Sequence, residues 1–73
     1  MFEQYMSSAA TGISLAGEML EASDRPRARQ VLAAAALDLG RAEELSDLTD
    51  VQRRTVEDRM LAVTRLLAAT MTC

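Results

Sequence analysis

With 73 residues, one cysteine, no histidine and no lysine, the chain has room for one domain and few of the staples that small domains use. Cys73 alone cannot form an intrachain disulfide, the soft ligands for a structural zinc or copper are missing, and an activated nucleophile has no base beside it. A net charge of −3 disfavours nucleic acid as the main partner.

What remains to stabilise so short a chain is helix packing within it or association with another polypeptide. No enzyme activity, cofactor, metal or small-molecule substrate is expected. Glu3 and the lack of any base before Arg25 do not fit a signal peptide, and with the single free thiol this points to the cytoplasm. The longest uncharged run, Gln4 to Gly17, is broken by Ser, Thr and Gly and falls short of the roughly 20 apolar residues of a membrane span. Charge is unevenly placed. Residues 1–24 carry four acids and no base, whereas all eight arginines follow among seven acids.

One proline, no asparagine and abundant Ala, Leu, Arg and Glu favour helix throughout. The first helix is expected over about residues 3–21, with Phe2, Met6, Ala9, Ile13, Ala16 and Leu20 recurring at spacings of four and three along one stripe. Ser7, Ser8, Thr11, Gly12, Ser14 and Gly17 weaken it, and the two glycines read as close-packing positions.

Ser23-Asp24-Arg25-Pro26 then breaks the chain, offering side-chain oxygens for capping and a proline suited to a first turn. The second helix, about 26–45, has the stripe Ala28, Leu32, Ala35, Leu39 and Ala42. A second break follows at Ser46 to Asp50, where Thr49-Asp50-Val51-Gln52 matches a capping box. The third helix, about 50–71, has the stripe Val56, Met60, Val63, Leu67 and Thr70. The expected fold is all-α: an antiparallel hairpin of the second and third helices with an additional N-terminal helix, a small three-helix bundle completed by association. The first helix either packs across the hairpin or pairs with another chain, and the pattern leaves both open.

Apolar residues exceed what one stripe needs. Val31 to Leu37 is apolar on all sides, with Leu37 nearly opposite the Leu32/Leu39 stripe. The antiparallel hairpin sets this stretch beside the equally wide apolar arc of the second half of the third helix. Val31, Ala34, Leu37, Met60, Leu61, Leu66 and Met71 are therefore the candidate partner-binding residues. The blander expectation is that the first helix covers them. The opposite end is charged, and Glu43 and Glu44 are placed to meet Arg53 and Arg54 across the turn.

Arg25, Arg27 and Arg29 crowd the start of the second helix, where the helix dipole disfavours cations. Either Glu18 and Glu21 partly neutralise them, or they are candidate contacts to an acidic partner. Adjacent carboxylates such as Glu43/Glu44 and Glu57/Asp58 point about 100° apart on a helix and read as solvated surface. Cys73 reads as an inert thiol at a frayed end.

The acidic first helix, the break containing Arg25-Pro26-Arg27 and the long amphipathic hairpin resemble, at the level of pattern over roughly Arg25 to Met71, the small co-chaperones of type III secretion needle subunits. The resemblance implies a protein that docks on a larger helical-repeat chaperone, the pair shielding the needle subunit, with the hairpin's apolar residues as docking face. The leading expectation is thus a non-catalytic adaptor or chaperone-like module binding a helical partner. A homo-oligomeric bundle is the first alternative, and a small DNA-binding regulator the second.

Overall fold

The computed structural model describes residues 1–71 and consists of three helices: α1 (Phe2–Glu21), α2 (Arg25–Glu43) and α3 (Asp50–Met71). Cys73 lies outside the described residues, so its expected role is not addressed by the structure. All three helices touch one another, and the particle measures 40 × 18 × 14 Å. That length fits helices of about 30 Å lying side by side.

Each helix begins and ends for a local reason. At the end of α1 the Ser23 N–H donates to the Leu20 carbonyl at 3.0 Å and the Asp24 N–H to the Met19 carbonyl at 2.7 Å. This is the two-bond Schellman closure, and it requires a left-handed residue, here Ser23 at φ 62° in place of the usual glycine. Asp24 then caps α2, its carboxylate accepting a long 3.4 Å bond from the Arg27 N–H, while Pro26 occupies the first turn. The two helices are thereby joined by a connection of minimal length.

The start of α3 is the reciprocal capping box: the Gln52 N–H donates to the Thr49 hydroxyl oxygen at 3.1 Å, and the Thr49 N–H donates to Gln52 Oε1 at 3.0 Å. α2 stops two residues short of the expected boundary, because Glu44 is its cap and the Leu45 N–H bonds back to Ala42 in a tighter turn. Phe2, at the start of α1, shares a depression with Leu45 and Leu48 of the α2–α3 connection.

The core follows the expected stripes. All five of Ala28, Leu32, Ala35, Leu39 and Ala42 are buried, together with Ala9 and Ala16 of α1 and Val56, Val63 and Thr70 of α3. Within α1 and α3 these recur every seven residues, and within α2 at alternating spacings of four and three, the heptad spacing that keeps one seam facing its neighbours in coiled-coil packing. Met6, Ile13, Leu20, Met60 and Leu67 complete the stripes as half-buried residues against the core. The one buried polar side chain described, Thr70, donates its hydroxyl to the Leu67 carbonyl of its own helix.

The first helix packs on its own chain, which decides a point the stripes left open. Its contact with α2 is more extensive than that of α3. The two helices run antiparallel, since the Ser8 hydroxyl donates to Asp38 Oδ2 at 2.7 Å while Gly12, further along α1, faces Val31 and Ala35, earlier in α2. The contact is close: a Cβ on Gly12 would stand 3.3 Å from the Ala35 Cβ and 3.4 Å from Val31 Cγ1. Alanines on both sides of the seam permit this approach. Gly17 has no atom within 4 Å of the equivalent position, so it is not the second close-packing site that its placement suggested.

Candidate interaction surface

Seven apolar residues were expected to form one partner-binding face, and the structure distributes them over three environments. Met60 and Leu66 are half-buried against the core. Val31 and Ala34 line a furrow between α1 and α2 together with Gly12 and Leu15, so α1 has taken up this side of α2. Leu37, Leu61 and Met71 point outward and are 65%, 56% and 72% exposed.

Leu37 and Leu61 owe their exposure to position on the helix. Leu37 lies on the side of α2 away from the buried Leu32/Ala35/Leu39 stripe, and Leu61 lies about opposite the Val56/Val63 stripe of α3. Leu61 borders a shallow apolar depression with Met60, Thr64 and Glu57 of α3 and Glu43 of α2, which places it on the outer side of the α2–α3 seam. Ala33 and Gly40, four residues before and three after Leu37, share its outward side. A Cβ on Gly40 would meet nothing within 4 Å. Each large side chain thus stands beside small residues, a relief of one knob and adjacent hollows.

Among the described residues the charges at the two ends are almost entirely unpaired. Among the described residues the only ion pair is Arg27 with Asp24, at 3.6 Å, and both are solvent-accessible, so it contributes at most about 1 kcal/mol. Glu43 and Glu44 do not meet Arg53 and Arg54 across the turn. All four side chains are exposed, and water solvates them without the entropy cost of holding long side chains in register. Nor do Glu18 and Glu21 neutralise the arginines at the start of α2. Asp24 does so for Arg27 alone, leaving Arg25 and Arg29 exposed and, among the described residues, unpaired at the helix N-terminus.

Three further residues belong with Leu61 on the outer side of α3, of which Arg65 was not singled out from the sequence and Asp58 was read only as solvated surface. Asp58 lies three residues before it, Arg65 four residues after and Ala68 seven after, all exposed. The spacing from Leu61 was the available signal, but its use required knowing that Leu61 faces outward. No group of three or more potential metal-ligating side chains comes together among the described residues, and no described helix is long and apolar enough to cross a membrane. No protein-family model, curated protein sequence or solved structure matches this chain.

Proposed function

We propose that this protein is a non-catalytic helical interaction module that engages another helical polypeptide through the outer face of its α2–α3 hairpin. The observation that carries this reading is the exposure of Leu37 and Leu61 in a chain whose core is already closed by α1. Scattered exposed leucines are ordinary, but here two helices of one seam present theirs on the side their own third helix does not cover. The chaperone-like adaptor implied by the resemblance to needle-subunit co-chaperones is one form of this function, using the same face.

The test is site-specific photo-crosslinking in cells from Leu37 and Leu61, with Gln4 on the exposed side of α1 as control. A discrete product from both leucine positions and none from Gln4 is expected. Equal labelling from all three positions, or none from any, overturns the reading. Leu37→Glu should stay folded, with unchanged helical circular dichroism, as for a surface substitution. Unfolding of that variant would place Leu37 in the core and remove the basis of the proposal.

A further inference from the structure

Building on the interaction-module reading, we infer that the polypeptide docked on this face is a second copy of the same chain, related by a two-fold axis that crosses α2 near Leu37 and reverses helix direction between copies. Two observations support this arrangement.

The first is charge. On the outer side of α2, Arg29 lies eight residues before Leu37, and Glu44, the cap at the C-terminal end of the helix, seven residues after it. At 1.5 Å per residue these are about 12 and about 10 Å to either side of the leucine. A two-fold axis at Leu37 that exchanges the ends brings Arg29 of each copy to Glu44 of the other. A two-fold axis parallel to the helices sets like ends together, acids of the α2–α3 connection against acids, and is disfavoured by repulsion. Neither side chain has an ion-pair partner among the described residues of its own chain. Carboxylates from the second copy would also relieve the unfavourable position of Arg29 near the α2 N-terminus.

The second is shape. Ala33 and Gly40 flank Leu37 and offer a hollow into which the leucine of an antiparallel α2 fits, as one helix's knob enters another's hole. Two-fold symmetry makes the contact reciprocal, so one leucine and one hollow per copy suffice.

Sedimentation equilibrium from micromolar to millimolar concentration tests the inference on the full chain. The wild type should sediment as a discrete species of twice the 7.9 kDa chain mass. Arg29→Glu and Glu44→Arg should each weaken association by about ten-fold or more, and the double reversal should restore it. Leu37→Glu should give a monomer with unchanged helical circular dichroism. A species of 7.9 kDa at every concentration overturns the inference. So does a dimer indifferent to the charge reversals, or one that the double reversal fails to restore. A monomeric wild type that still yields a discrete crosslink from Leu37 to a different chain refutes the second copy alone, whereas absence of both products refutes the interaction face itself.

Discussion

The same substitution at two glycines of α1 offers a sharp check on the α1–α2 contact. Replacing a helical glycine by alanine is worth about 1 kcal/mol in helix propensity, wherever it is exposed or has room. At Gly17 the new methyl meets nothing within 4 Å, so the full gain should appear. For a domain of this size that corresponds to a rise in Tm of about 4–8 °C.

At Gly12 the methyl arrives 3.3 Å from the Ala35 Cβ and 3.4 Å from Val31 Cγ1, inside the roughly 3.5–4.0 Å of favourable carbon contacts. The Val31 carbonyl oxygen, at 3.5 Å, is backbone and cannot rotate away. The helices must separate by a few tenths of an ångström along an alanine seam, and the propensity gain is offset by lost packing. Gly12→Ala should therefore fall short of Gly17→Ala by about 1 kcal/mol, and Gly12→Leu should be destabilising by roughly 1–3 kcal/mol through overpacking. Urea unfolding followed by circular dichroism gives the difference directly, provided m is unchanged. Equal stabilisation by alanine at both positions would show that α1 does not lie this close to α2, and the reasoning about the alanine seam would fail.

Further predictions concern the two connections. Ser23→Gly removes the cost of a left-handed non-glycine residue in the Schellman closure and should stabilise the protein by about 1 kcal/mol in the same urea assay; a loss of stability would mean that Ser23 is not held at positive φ. Thr49→Ala should cost about 1 kcal/mol by removing the acceptor for the Gln52 N–H. Because the box is reciprocal, Gln52→Ala should cost less in the Thr49→Ala background than in the wild type, and additivity in that double-mutant cycle would argue against the paired bonds.

The number of helices, their approximate bounds and the residues of their buried stripes were legible in the sequence, because helical periodicity and capping are local. A spacing of four and three selects one side of a helix whatever lies opposite, and Thr49 with Gln52 closes its bonds within four residues. All five stripe residues of α2 are accordingly buried. What lay beyond the pattern depends on partners far along the chain. That α1 packs most extensively on α2, that Gly12 is crowded while Gly17 is open, and that Val31 is taken up by α1 while Leu37 is left outside are decided by which helix faces which. Periodicity says which side of a helix is apolar, and only the tertiary arrangement says how much of that apolar surface finds a cover within the chain. The left-handed Ser23 belongs to the same class: its conformation is imposed by the sharp reversal that brings α2 back along α1, and no glycine marks the place.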